Sequence, residues 1–386
     1  MNSVRLGIIG IGNMGSGHAE KVVSRKISRC ELTAVCDPAP EKFARYPHAK
    51  GFTHSEELIR SGVVDAVLIV TPHYDHTTIG VDALQRGLHV LVEKPISVHK
   101  ADCQRLIAAH RNPKQVFAAM FNQRTDPYYL KVRELIRHGE LGQIRRINWI
   151  ITNWFRTEAY YKLGNWRATW AGEGGGVLLN QCPHNLDLFQ WFFGMPKRVR
   201  GFCHIGRYHD IEVEDDVTAY FEYANGTTAV FITSTGEAPG TNRLEITAEN
   251  GKLVFDNDAL VFTRNEVPMS EFSRTATKSF ATPATTESKF TFPDHGGQHV
   301  EVLQNFVDAV LDGKPLIAPA PEGIHSVELA NAILFSSARH ETIELPLDAA
   351  AYEQHLKEKF SASRYKKKAP HAHGALTDDF ASSSNR

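Results

Sequence analysis

No apolar run in this sequence approaches the ~20 residues that a helix needs to cross a bilayer, which argues against a membrane-spanning protein. Excess charge is missing as well. Lys and Arg number 43 against 44 Asp and Glu, a formal net charge of −1. That balance argues against a nucleic-acid binder that relies on an overall basic surface. Cysteine is sparse. The five present (Cys30, Cys36, Cys103, Cys182 and Cys203) form no Cys-x-x-Cys pair, and an odd, scattered set fits reduced thiols in a cytoplasmic protein. The opening residues, Met1 to Arg5, lack the apolar core and cleavage site of a secretion signal. Internal repeats are absent. What is left is an ordinary globular composition, 42% hydrophobic and 23% charged, spread over 386 residues. That length is enough for two domains with sizeable cores.

The first 120 or so residues alternate apolar strands with helices. Residues 4–9 read as a buried strand, followed at once by Gly10-Ile11-Gly12-Asn13-Met14-Gly15 and a helix through residue 23. This is Gly-x-Gly-x-x-Gly in its confirming context of strand, turn and helix. The first glycine permits the tight turn, the second lets a pyrophosphate approach the backbone, and the third lets the helix pack on the sheet. The helix N-terminus offers free N–H groups to the phosphates. The next strand, 32–36, ends in Asp37, about twenty residues beyond the glycine loop, where a carboxylate can bond ribose hydroxyls. Pro38 and Ala39 follow, with no arginine for a 2′-phosphate, which favours NAD over NADP; Lys42 and Arg45 could still reach round.

Three more strands follow. Residues 65–70 lead into Thr71, Pro72, His73 and His76; residues 88–92 lead into Glu93-Lys94-Pro95; residues 116–121 lead into Asn122-Gln123-Arg124. Five apolar strands alternating with helices predict a doubly wound parallel sheet. Ligands in such sheets sit beyond the C-terminal strand ends. Thr71, Lys94 and Asn122 therefore share the rim where a nicotinamide ribose would lie. The expected cofactor contacts in this half are Gly10, Gly12, Asn13, Met14, Asp37, Thr71, Pro72, His73, His76, Glu93, Lys94 and Asn122.

From Asp126 the pattern changes. A linking helix over 127–138 is followed by stretches rich in aromatic and β-branched residues at 144–155, 198–205, 217–223, 227–233, 243–248, 252–256 and 260–262. Asn225-Gly226 and Asn250-Gly251 are hairpin signals. The expectation is a large, mainly antiparallel open sheet with one face on helices and the other free to join copies of the chain. Residues 174–176, three glycines, should lead into a helix reaching Phe193 with Asn180, His184 and Asp187 on one face. A histidine there can serve as a general base or as a structural imidazole. Residues 265–294 read as a long loop or lid, 294–311 and 322–340 as helices, and the tail from 363 as disordered. The domain boundaries expected are 1–124 for the dinucleotide-binding half and 125–362 for a substrate and oligomerisation half. His184, Asp187, His295 and His299 match no known metal-ligand spacing, so no metal site is expected.

Taken together, Gly10-x-Gly12-x-x-Gly15, Asp37, Thr71-Pro72, Glu93-Lys94-Pro95, Asn122-x-Arg124, Trp166-Arg167, the triple glycine and His184-x-x-Asp187 resemble the Gfo/Idh/MocA family over residues 4–350. The resemblance implies a Rossmann domain plus an α/β domain, a nicotinamide cofactor, a carbohydrate substrate and a homodimer or homotetramer. It makes Lys94 and His184 the catalytic candidates, adds Trp166 and Arg167 to the cofactor contacts, and leaves Asn153, Arg156, Tyr160, Asn180 and His295 as substrate contacts beside Lys94 and His184. Asn180 stands where many members have aspartate, Cys182 where many have glycine, and His73 where asparagine is common. The Asn180 departure removes an acidic partner from His184. Expected chemistry is hydride transfer between a sugar hydroxyl carbon and nicotinamide. The alternatives are an NAD-dependent glycoside hydrolase that oxidises C3 transiently, and a non-catalytic NAD-binding sensor.

Overall fold

The computed structural model describes residues 2–163, 166–256 and 258–363, and the tail from 364 lies outside them. Two sheets organise the chain. The first contains β1 (Val4–Ile9), β2 (Cys30–Cys36), β3 (Lys50–Phe52), β4 (Ala66–Ile69), β5 (His89–Val92) and β6 (Phe117–Ala119). Their order is β3-β2-β1-β4-β5-β6 and every pair is parallel. Helices α1 (Asn13–Val23), α2 (Ser55–Arg60), α3 (His73–Gln85) and α4 (Lys100–Ala109) make the crossovers. All four residues of β4 are buried, as a sheet covered on both faces requires. The strand order reverses between β1 and β4, so their C-terminal ends open the crevice where such folds take ligands. The sheet has six strands, not the five expected. The extra one, β3, is three residues long, too short to show a pattern, and is held by its pairing with β2.

The chain leaves this sheet through α5 (Pro127–Arg137), capped by the Asp126 carboxylate accepting from the Tyr128 N–H. Next come β7 (Ile144–Ile151), α6 (Glu158–Tyr161), α7 (Pro183–Phe193), β8 (Arg198–Ile205), β9 (Glu214–Glu222), β10 (Thr228–Ser234), β11 (Asn242–Ala248), β12 (Gly251–Asp256) and β13 (Ala259–Asn265). The last elements are α8 (Met269–Thr275), β14 (Thr285–Phe290), α9 (Gln298–Asp312), α10 (Gly323–Arg339), β15 (Ile343–Glu344) and α11 (Ala349–Ala362). The second sheet runs β14-β13-β12-β11-β7-β10-β9-β8-β15, antiparallel except for the β7–β10 pair. Side chains alternate along β9, with Val217, Ala219 and Phe221 inward and Thr218 and Tyr220 outward. The inner face packs on α7 and α10, where Trp149 stacks with Phe189 and Phe192. Gly201 is needed at this contact, because a Cβ there would stand 2.3 Å from the Ile333 carbonyl oxygen.

Two local expectations are corrected, and the hairpin expected at Asn250-Gly251 is present with its turn one residue earlier. The segment 265–294 contains α8 and β14. All but the last residue of β14 are exposed, so no apolar alternation marks it, and pairing with β13 holds it in place. The turn between β11 and β12 is Glu249-Asn250, with Gly251 already paired to Ala248. The helix bearing His184 begins at Pro183, leaving Asn180 in the preceding turn and off the face shared by His184 and Asp187. The reason is Pro183 itself: proline lacks an N–H and suits the first helical position, not an interior one.

Candidate active site

The glycine loop follows from backbone geometry. Gly10 has φ +94°, and a Cβ there would lie 2.5 Å from the Val70 carbonyl oxygen. A Cβ on Gly15 would lie 1.8 Å from the Gly10 carbonyl oxygen. Gly12 caps α1, and a Cβ on it would meet nothing within 4 Å, so the space above its backbone is open for a pyrophosphate. Asn13 and Met14 start α1, and Met14 is exposed there. Buried Asp37 accepts from the Ile11 and Ala39 N–H groups, each at 3.0 Å. The Lys42 ammonium lies 2.8 Å from its Oδ1. Asp37→Ala is expected to raise the KM for NAD about tenfold and narrow the preference over NADP, since an acid at this place in such a fold bonds ribose hydroxyls and its charge repels a 2′-phosphate. Steady-state kinetics with both cofactors checks this.

The rim follows from the ends of β4, β5 and β6. Thr71 and Asn122 each keep a buried side-chain oxygen without a protein partner, Oγ1 and Oδ1 respectively; Asn122 donates to Gln298 through its Nδ2, at 2.6 Å. His184 keeps its Nδ1 buried and unpartnered as well. Buried polar atoms are normally paired, so these three orphans are candidates to meet a polar ligand such as the nicotinamide ribose. His73 is buried, with Nδ1 3.3 Å from the Glu173 carbonyl oxygen and its ring edge-on to Trp166. His76 lies behind the rim, its two ring nitrogens 2.8 and 2.9 Å from the Pro95 and Thr71 carbonyl oxygens. A neutral ring donates to only one of them at a time. His76 thus links the ends of β4 and β5 at the rim.

Lys94 follows β5, and its bond to Pro95 is cis. Its ammonium donates to the Asn180 carbonyl oxygen at 2.8 Å, which ties the end of β5 to the second half of the chain. Burial lowers its pKa below the ordinary lysine value; Arg167 and Arg156 add to that, while Glu93 and Glu173 oppose it. Glu93 turns away, 2.8 Å from Nε2 of His18 on α1. Burial alone would push the Glu93 carboxyl up, but His18, His299 and Lys94 outweigh it and hold it at about 2. Burial, helped by Lys94, pushes the His184 imidazole well below its ordinary value, so it is neutral and available as an acceptor. Three of the expected substrate contacts, Asn153, Arg156 and Tyr160, follow β7. The Arg156 guanidinium stacks over Trp154 and Tyr160, donates to the Phe155 carbonyl oxygen at 2.9 Å and keeps a buried, unpartnered Nε. Arg167 lies over the same Tyr160 ring. Asn153 keeps a buried Oδ1 without a partner.

Residues 4–121 match the family model for an oxidoreductase family with an NAD-binding Rossmann fold. Residues 129–254 match that of a GFO/IDH/MocA C-terminal domain. The chain belongs to the Gfo/Idh/MocA family. Among curated Gfo/Idh/MocA relatives, an inositol 2-dehydrogenase of Corynebacterium glutamicum is 28% identical over 197 residues, covering 50% of this chain and 55% of the relative. The match thus spans about half the length of that relative. A myo-inositol 2-dehydrogenase of Thermotoga maritima is 23% identical over 89% of this chain and 98% of its own. Among solved structures, the WlbA dehydrogenase of Bordetella pertussis, in complex with NADH and UDP-GlcNAcA, has a TM-score of 0.74 at 24% identity, covering 90% of this chain and all of that one. A levoglucosan dehydrogenase with NADH and levoglucosan has a TM-score of 0.73 at 18% identity, covering 89% of this chain and all of its own. At these identities the likeness of the structures is one of fold.

Within this Gfo/Idh/MocA chain, two acidic groups matter that the sequence pattern did not single out as partners. Asp187 is fully buried and forms a two-pronged pair with Arg124, both contacts at 2.7 Å. Glu173 is buried and accepts from the Asn180 side-chain amide and from the Ala168 N–H at 2.8 Å. Nothing in local periodicity points to Glu173, because its partner lies across an irregular turn. His295 has its Nδ1 3.1 Å from Asp126 and its ring packed on Tyr128, and its carbonyl oxygen accepts from Gln298, which in turn accepts from Asn122 at the rim. Asp187 is taken up by Arg124, and among the described residues no group of three or more His, Cys, Asp or Glu is arranged to hold a metal. An open cleft of about 780 Å³ on the outside of the second sheet, lined by Thr247, Lys252, Met269 and Phe272, contains none of the predicted site residues.

Proposed function

We propose that this protein is an NAD-dependent dehydrogenase moving a hydride between a hydroxyl-bearing carbon of a sugar or related polyol and nicotinamide C4. The observation that carries this is the meeting of Lys94, from the Rossmann rim, with the Asn180 turn, beside the orphaned Nδ1 of buried, neutral His184. NAD, when bound, supplies the hydride acceptor. Lys94 hydrogen-bonds the substrate hydroxyl and takes its proton; a lowered pKa makes the neutral amine accessible nearer neutral pH. His184 orients the same hydroxyl or takes over as base. Arg156, Asn153, Tyr160 and Asn180 hold neighbouring hydroxyls. The curated relatives act on inositols by name, which supports a polyhydroxylated ring as substrate.

A redox-neutral glycoside hydrolysis is the second reading. It needs one more proton-handling group, and Tyr160 is placed for that, donating to Asn180 Oδ1 at 3.2 Å and accepting from Gln181 Nε2 at 3.1 Å. A panel of sugars and aryl glycosides with NAD, following NADH and released aglycone together, separates the two. Net NADH in step with product supports the dehydrogenase; aglycone without NADH supports the hydrolase; tight NAD binding with neither leaves a sensor.

We read the two sheets as two domains meeting near residue 125. The outer face of the second sheet is read as the contact between copies, since Phe202 and Tyr220 are exposed on it. A monomer by light scattering would overturn that. The five free thiols suit a reducing, cytoplasmic setting.

A further inference from the structure

Position 180 is an amide where the family resemblance leads one to expect a carboxylate, yet a buried carboxylate stands one hydrogen bond away. We propose that Glu173 supplies the missing acid, as a positioning residue that holds Asn180 and, through it, Lys94. The proposal rests on the assignment of Lys94 as the group that meets the substrate hydroxyl.

The geometry is a short chain of contacts. One carboxylate oxygen of Glu173 accepts from the Asn180 Nδ2, and the other accepts from the Ala168 N–H at 2.8 Å. The Asn180 Oδ1 accepts from Tyr160 and from Gln181. With both ends of its amide engaged, Asn180 cannot flip, and its backbone oxygen is fixed 2.8 Å from the Lys94 ammonium. An aspartate at 180 could not donate to Glu173, and two buried carboxylates would repel. Asparagine at 180 is what a carboxylate at 173 calls for.

Charge makes the same case. Glu173 is only 2% exposed, and an isolated carboxylate so deeply buried is costly unless cations face it. Burial pushes the Glu173 carboxyl above its ordinary value, and Arg167, the Asn180 amide, the Ala168 N–H and Lys94 pull it back toward the ionised form. Lys94, in turn, is faced by Glu93, Glu173, Arg156 and Arg167, and it acts on the imidazoles of His73, His184 and His299. Of the two carboxylates, Glu93 is engaged by His18, whereas Glu173 is linked to the lysine through Asn180.

The test compares wild type, Glu173→Gln and the exchanged pair Glu173→Gln with Asn180→Asp. Lys94 is titrated by side-chain NMR in each, and the pH profile of kcat/KM for sugar oxidation is recorded. Removing the negative charge lowers the Lys94 pKa further. The Lys94 titration and the acid limb should therefore move to lower pH by roughly one unit, with kcat down about tenfold. The exchanged pair returns a carboxylate to the same hydrogen bond and should bring both back toward wild type. A folded Glu173→Gln protein whose Lys94 titrates as in wild type overturns the proposal. If that single variant does not fold, a folded exchanged pair decides: titration near wild type supports the role, and titration well below it overturns it. The NMR titration needs no substrate, so failure of every sugar would count against the dehydrogenase assignment without touching this result.

Discussion

Replacing Lys94 with methionine is expected to lower sugar-dependent NADH formation about 10²- to 10⁴-fold, the size of effect seen when a positioned acid–base group is removed. Methionine keeps an unbranched apolar stem of similar length, so the packing at the end of β5 survives. What goes is the amine that donates to the Asn180 carbonyl oxygen. The glycine loop, Asp37 and the orphaned rim oxygens of Thr71 and Asn122 are untouched, so NAD affinity by calorimetry should change by no more than about threefold, under 1 kcal/mol. Lys94→Arg should fail almost as badly, because a guanidinium stays charged and cannot take a proton. In the wild type the oxidation rate should rise with pH through the Lys94 pKa and level off below the usual lysine range, since burial lowers that pKa. Turnover that survives Lys94→Met would remove Lys94 from the chemistry.

The second large effect is on stability. Arg124→Ala is expected to cost about 3–5 kcal/mol of unfolding free energy, because it leaves a buried carboxylate without its counter-charge. Arg124 and Asp187 are each about 1% exposed, and the guanidinium binds both Asp187 oxygens. Its remaining nitrogen reaches Glu322 and the Ile317 carbonyl oxygen, so one side chain joins the turn after β6, the helix α7 that carries His184, and the start of α10. Chemical denaturation measures the loss. Arg124→Met combined with Asp187→Leu should recover most of it, since an apolar pair of similar volume carries no desolvation penalty. A single Arg124→Ala variant as stable as wild type would mean that water or Gln190, 3.1 Å from Asp187, already satisfies the carboxylate.

How much of this was legible beforehand depends on how local the cause is. Gly10, Gly12 and Gly15 are dictated by contacts within one strand–turn–helix unit, so their spacing carries the message. Lys94 was marked by its place at a strand end and by the proline after it, the residue before which cis peptide bonds occur, and the Lys94–Pro95 bond is indeed cis. The start of α7 at Pro183 was written in the chain but lost beneath the apolar periodicity that runs back to Val177. His295 carried no local signal either way; its partner, Asp126, is 169 positions distant.

By itself the sequence determined the class of fold, the cofactor and the strand ends that form the rim, because glycine spacing and apolar alternation act over a few residues. Only the tertiary structure decided what surrounds Lys94. The Asn180 turn reaches it from 86 positions away, Glu173 sits behind that turn, and β14 exists only as a partner for β13. Charges and hydrogen bonds between distant segments depend on packing in three dimensions, and no pattern along one segment encodes their distances.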